Sequence, residues 1–221
     1  MPSPPRRFHL LAFDWDGTLA DSTALIAGAL QQACRDLGVD VPDEVRARHV
    51  IGLGHRDSIR YVAPTLHERH YAHFTERFGS HYMVGDAAIP LFEGVPDMLA
   101  ELSARGFKLG IATGKSRRGL DRVLAQHGIA GHFAVSRCAD EGEPKPHADM
   151  LLRLMEQADV GPAQTLMIGD TTHDLQLARN AGAASLAVAY GAHPPEGLAE
   201  HSPLATVHSV AELRAWLSTN A

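Results

Sequence analysis

The chain has 221 residues, 45% of them hydrophobic and 21% charged, the composition of a globular protein with room for one sizeable core or a core plus a smaller insert. No apolar run approaches the ~20 residues of a membrane helix, so no membrane partner is expected, and a formal net charge of −6 argues against nucleic acid. Cys34 and Cys138 make neither a metal-ligand spacing nor a disulfide framework, which fits a reducing cytoplasm.

The start, Met1-Pro2-Ser3-Pro4-Pro5-Arg6-Arg7, is basic, but the apolar stretch behind it is short and holds His9 and Asp14. A flexible leader is expected there, not a secretion signal. The first expected strand, His9–Phe13, runs out into Asp14-Trp15-Asp16-Gly17-Thr18. Residues i and i+2 of an extended chain project to the same side, so Asp14 and Asp16 address one ligand while Trp15 turns into packing. Acids this close repel and lose hydration, which a bound cation or a shared proton relieves. A plain turn would also use Asp, Gly and Thr.

From Ser22 to about Pro90 only helical patterns follow. These are Ala24–Leu37, with Ser22 as N-cap and Gly38 as stop, then Asp57–Val62 and a long one at His67–Met83. The stretch is too long for an ordinary crossover and reads as an inserted all-helical domain over 21–90, with joints at Leu19–Asp21 and Asp86–Glu93. Beyond it, apolar strand-length segments stand at Lys108–Ala112, Phe133–Ser136, Thr165–Ile168, Ser185–Ala189 and Ala205–Val207. Helical patterns at Arg117–His127, Ala148–Ala158, Asp174–Ala181 and Val210–Leu217 alternate with them. The rhythm indicates a Rossmann-like α/β core, a parallel sheet with helices on both faces, built from 1–20 and 91–221.

Three more clusters fall at the C-terminal ends of expected strands, where open parallel sheets place their ligands. Thr113-Gly114-Lys115 offers a hydroxyl and a glycine amide before a helix, which suits a phosphate oxygen. In Glu143-Pro144-Lys145-Pro146 the flanking prolines fix the direction of a lysine that would otherwise read as a surface charge. In Gly169-Asp170-Thr171-Thr172-His173-Asp174, capping accounts for one aspartate but not for both at a strand exit. Together the four clusters fit phosphoryl chemistry. Asp14, Asp16, Asp170 and Asp174 make an all-oxygen site suited to Mg²⁺, and Thr113, Gly114 and Lys145 surround a phosphoryl group. Asp14 is placed to attack phosphorus. Asp16 is placed to protonate the leaving oxygen and then deprotonate water, which requires surroundings that hold a proton on it.

The ordered pattern Asp-x-Asp-Gly-Thr, a Thr after a strand, a Lys and Gly-Asp-x-x-x-Asp spans nearly the whole chain. It resembles the haloacid dehalogenase superfamily, in a phosphatase branch similar to phosphoglycolate phosphatases. The resemblance implies that Asp14 is nucleophile and metal ligand, and that Asp16 is general acid/base with its backbone carbonyl at the metal. It further implies that Thr113 and Lys145 hold the phosphoryl group, that Asp170 binds the metal, and that Asp174 either helps the metal through water or orients Lys145. The inserted helices match the family's cap. Two departures stand out: Trp15 replaces an aliphatic residue or Phe, and Thr-Gly-Lys replaces Thr-Asn-Lys.

Substrate choice is expected to rest with the cap. The glycine-rich turn Gly52-Leu53-Gly54-His55-Arg56 would bring Arg56 or His55 over the site to meet a carboxylate or second phosphate; a connecting loop with a solvated arginine would look the same. His67, His70 and His73 drift around their helix, and no Cys or acid completes a zinc set. The expected activity is Mg²⁺-dependent hydrolysis of a small phosphate monoester such as phosphoglycolate through an aspartyl phosphate, by a monomer or homodimer. A phosphomutase of the same fold stays open, as does a non-enzymatic binding or signalling relative. Asp16 counts against a dehalogenase, and a cap without lysine counts against a phosphonate hydrolase.

Overall fold

The strand Leu10–Phe13 (β1) is buried along its whole length, as a central strand covered on both faces must be. Its alternate residues feed two different cores. Leu11 and Phe13 join one apolar cluster, Leu10 and Ala12 the other, which is the period-two consequence of an extended chain. The computed structural model describes residues 6–221; most of the expected leader, residues 1–5, lies outside them.

After β1 come four helices, α1 (Thr23–Asp36), α2 (Glu44–His49), α3 (His55–Val62) and α4 (Tyr71–Asp86), followed by α5 (Val95–Ala104). The rest alternates: β2 (Lys108–Thr113), α6 (Arg117–His127), β3 (Phe133–Cys138), α7 (Asp149–Ala158), β4 (Thr165–Gly169), α8 (Thr172–Asn180), β5 (Ala184–Val188), α9 (Pro195–Ala199), β6 (Thr206–Val207) and α10 (Val210–Asn220). The six strands form one parallel sheet in the order β3-β2-β1-β4-β5-β6. Leu120, Val123 and Leu124 of α6, Met98 and Leu99 of α5, and Leu213 and Leu217 of α10 cover one face. Met150, Leu151 and Leu154 of α7 and Leu177 and Ala178 of α8 cover the other. This is the expected α/β architecture. The order reverses between β1 and β4, so the connections that follow these neighbouring strands leave to opposite sides and open a crevice at their C-terminal ends.

Helices α1 to α4 pack around a cluster of their own, with Leu30, Ala33 and Cys34 of α1 against Ile59 and Val62 of α3 and Phe74 of α4. The two chain segments that connect them to the sheet run side by side. Ala20 bridges to Leu91, Asp21 N–H donates to the Pro90 carbonyl at 3.0 Å, and Phe92 N–H donates to that of Leu19 at 3.0 Å.

Three helices have no counterpart among the expected elements. α2 and α9 are too short for periodicity to register. α5 does carry helical spacing in Val95, Met98, Leu99 and Leu102, but Gly94 and Pro96 disguise its start, although the first turn is where a proline is tolerated. The pattern at His67–Met83 breaks into a 3₁₀ turn, Glu68–His70, and α4. Ser22 precedes α1 as expected but spends its hydroxyl on Asp16 instead of a helix amide.

Leu154→Ala, in the layer between α7 and the sheet, should lower stability by about 2–5 kcal/mol through lost burial and a cavity. Val84→Ala, at a residue 89% exposed, should change it by less than about 0.5 kcal/mol. Chemical denaturation of both variants against the parent chain measures the contrast.

Candidate active site

Four strand ends meet at the crevice. Asp14 continues β1 by one residue, its N–H donating to the Ile168 carbonyl of β4 at 2.9 Å, so Asp14 and Asp170 leave neighbouring strands together. Gly17, at φ 82°, then turns the chain, and the Trp15 carbonyl accepts the amides of Thr18, Leu19 and Ala20. Trp15 itself is buried in the core, its ring 6.2 Å from that of His127. The substitution noted at this position is thus absorbed by packing.

Glycine makes the close approach of the acids possible. A Cβ at Gly17 or Gly191 would overlap the Asp170 carboxylate, and one at Gly169 would overlap that of Asp174. Oxygens of Asp14, Asp170 and Asp174 lie within 4.8 Å of one another, all three residues buried. Lys145, fully buried, donates to Asp14 Oδ1 at 2.7 Å and to Asp174 Oδ1 at 2.6 Å. Asp170 accepts from Thr18 Oγ1 at 2.8 Å and from the Ala192 amide at 2.7 Å. Asp174 Oδ2 accepts from the Thr171 hydroxyl and amide in a capping box that opens α8.

The electrostatics follow from charge crowded where water is scarce. Burial pushes the Asp14 carboxyl up to about 7; Lys145 opposes this, while Asp174 and Asp16 add to it. Burial also raises Asp170 well above the usual carboxylate range, with the charges of Asp14 and Asp174 reinforcing it. Burial works against the Lys145 ammonium, yet the two acids it touches outweigh that and hold it charged. One ammonium thus faces three carboxylates, an arrangement that calls for a cation. The residues fit one. Five of the six carboxylate oxygens have donors, and Asp14 Oδ2 is buried with none. An all-oxygen donor set of this kind suits a hard divalent ion such as Mg²⁺.

Asp16 faces elsewhere. It accepts from Ser22 Oγ at 2.7 Å and pairs with Lys115 Nζ at 3.0 Å, while Lys115 also donates to the Tyr82 hydroxyl at 2.9 Å. Asp16, Gly114 and Lys115 form the core side of a cavity of about 500 Å³ beneath the inserted helices. A larger groove, of about 880 Å³ beside Phe92, Tyr190 and Val210, includes none of the acids. Thr113, at the end of β2, is buried and accepts the Lys115 amide on Oγ1.

The turn at Gly52–Gly54 does lie on the site. A Cβ at Gly114 would stand 3.0 Å from the Gly52 backbone, and one at Gly54 2.9 Å from Pro144. Glycine in place of asparagine at 114 therefore lets the insert's backbone rest on this loop. Arg56, expected among the phosphate-binding residues, is not brought there. It is exposed and pairs with Glu68 at 2.6 Å, because the first turn of α3 directs it outward, while Leu53 and His55 line the cavity.

Sequence reasoning also missed contacts that close over long separations: Thr18, Ser22, Gly191, the Ala192 amide and Tyr82. A second group joins insert and core. His173 and His193 both donate through Nε2 to the His49 carbonyl of α2, at 2.7 and 3.0 Å. His193 Nδ1 accepts the Thr172 amide, which fixes that ring as its neutral Nε2–H tautomer. Burial lowers His173 to about 4 and lowers His193 as well.

Residues 11–188 match the model of the family described as haloacid dehalogenase-like hydrolase. A phosphoglycolate phosphatase of Vibrio vulnificus is 35% identical over 217 residues, covering 94% of this chain and 95% of that protein. One of Vibrio cholerae is 33% identical over 208 residues, covering 90% and 92%. A crystal structure of a predicted phosphoglycolate phosphatase from Haemophilus somnus superposes with a TM-score of 0.82 at 25% identity, over 95% of this chain and 98% of that one. The chain belongs to the haloacid dehalogenase-like hydrolase family.

Proposed function

We propose that the chain is a Mg²⁺-dependent phosphatase that hydrolyses a small organic phosphate monoester through an aspartyl phosphate on Asp14. The observation that carries this reading is Asp14 Oδ2, a buried carboxylate oxygen with no donor, set between an ammonium and two further acids. Such an oxygen is unspent by the fold and available to form a bond to phosphorus. The names of the Vibrio relatives, phosphoglycolate phosphatases, support a small organic phosphate monoester as the substrate class. Unpaired, buried cysteines and the lack, among the described residues, of any helix long and apolar enough to cross a membrane support a cytoplasmic setting.

In this reading Lys145 draws the phosphoryl oxygens toward Asp14 and is itself aimed by Asp174. Thr113 and the Gly114 amide complete the cradle at the end of β2. Asp16, at the cavity floor, delivers a proton to the departing alcohol oxygen and then takes one from the water that attacks the aspartyl phosphate. Mg²⁺, when held by Asp14, Asp170, Asp174 and the Asp16 backbone, supplies the positive charge that offsets repulsion between carboxylates and phosphate. The core and the inserted helices meet over Asp16, which excludes bulk water from the acyl phosphate.

Five outcomes test this. Asp14→Asn should abolish phosphate release, since an amide is a poor nucleophile, while circular dichroism stays that of the parent; retained turnover removes the covalent step. Asp16→Ala should slow turnover by about 10²–10⁴-fold, and a parent-like rate removes its proton-transfer role. EDTA should abolish activity and Mg²⁺ restore it. Independently of activity, Mg²⁺ at 100 times its dissociation constant should stabilise the chain by about 2.7 kcal/mol in thermal unfolding. Gly191→Ala, which crowds Asp170, should shrink that shift; an unaltered shift argues against Asp170 as a ligand.

A further inference from the structure

The cavity over Asp16 has two unlike walls. Its core side presents Asp16, Lys115 and Arg118, whereas its insert side is mostly apolar, with Ile26, Leu53, Ile59, Phe74 and Phe78 outnumbering the polar His55, Ser58, Thr75 and Tyr82. No arginine of the insert lines it, and the insert has no lysine. Arg48, Arg56, Arg60 and Arg77 turn instead to Glu44, Glu68 and Asp36. On the core side, Lys115 is already paired with Asp16 and Arg122 with Asp86. Arg118 has no acidic partner among the described residues and is itself exposed.

A cavity of about 500 Å³ is far larger than the space a two-carbon leaving group fills. Ile26, Leu53 and Phe78 are only half-buried, so apolar surface is still open to water there. A ligand gains from such a wall by covering it with apolar surface of its own. A short hydroxy acid has almost none to offer, and on the insert side its carboxylate meets no cation.

We infer that the leaving group of the preferred substrate carries an apolar body, a chain or ring that lies from Asp16 toward Leu53 and Phe78. The substrate class is the phosphate monoester of a hydrophobic alcohol. The inference rests on the phosphatase reading and adds to it the identity of the alcohol: ester and water enter, alcohol and inorganic phosphate leave.

The test is phosphate release from ethyl, butyl and hexyl phosphate beside phosphoglycolate, with Mg²⁺. Ethyl, butyl and hexyl phosphate release primary alcohols of nearly equal acidity, so differences among those three report the cavity and not the leaving group. The expected result is a rise in kcat/KM of about three- to four-fold per methylene, with hexyl phosphate ahead of phosphoglycolate by ten-fold or more. Phe78→Ala, or the milder Phe78→Leu should the first not fold, is expected to lower kcat/KM for hexyl phosphate more than for ethyl phosphate. A flat alkyl series with phosphoglycolate preferred overturns the inference and leaves the phosphatase standing. No release from any ester by folded protein overturns both.

Discussion

Three carboxylates and one ammonium share a dry crevice, and the surroundings answer to that imbalance. Asp14, Asp170 and Asp174 are each fully or almost fully buried, and an unpaired charge in such a place is several kcal/mol too costly to persist. Lys145 therefore spans two of them, and a hydroxyl and an amide hold the third. Thr171 fixes the far oxygen of Asp174. What is left over is one oxygen of Asp14, and the excess charge is concentrated where a cation and a phosphoryl group would neutralise each other. Sites built for chemistry keep this kind of unfavourable pairing, where a core built for stability alone would replace it with apolar packing.

The sheet makes that crowding affordable. Because the strand order reverses between β1 and β4, the chain leaves these two neighbours to opposite sides and the crevice at their ends stays open. The first connection from β1 carries the helical insert, whose two ends run side by side as a paired ribbon. Insert and core then touch through polar contacts of moderate strength: Lys115 with Tyr82, Arg122 with Asp86, and two imidazoles on one carbonyl. Apolar contact is shared as well: Ala29 and Tyr82 of the insert belong to the same cluster as Phe13 and Trp15, and Leu25, Ile26 and Phe78 pack against it.

Much of this was legible in the sequence because it is local or periodic. Each expected strand lies within a residue or two of its observed bounds, since β-strand burial on both faces leaves an unbroken apolar run. The clusters at Asp14, Thr113, Lys145 and Asp170 were legible because strand ends of a parallel sheet converge whatever the details of the loops. What stayed hidden depends on direction or on distant closure. Arg56 sits in the right turn, but α3 rotates it outward to Glu68. Gly191 reads as an ordinary loop glycine until the fold presses Asp170 against it. The partnership of Lys115 with Tyr82 joins residues from a core helix cap and an insert helix; no spacing rule connects them.

The placement of Trp15 has an optical consequence. Only two tryptophans occur in the chain, and this one is fixed in the apolar core between the residues that carry the two acids of β1's end. Trp216, on α10, is partly buried against the same cluster. Both indoles therefore sit in or against one apolar cluster, which unfolding would expose to water. The protein thus has a native fluorophore buried at the centre of its sheet core, and loss of that core is readable without attaching a label.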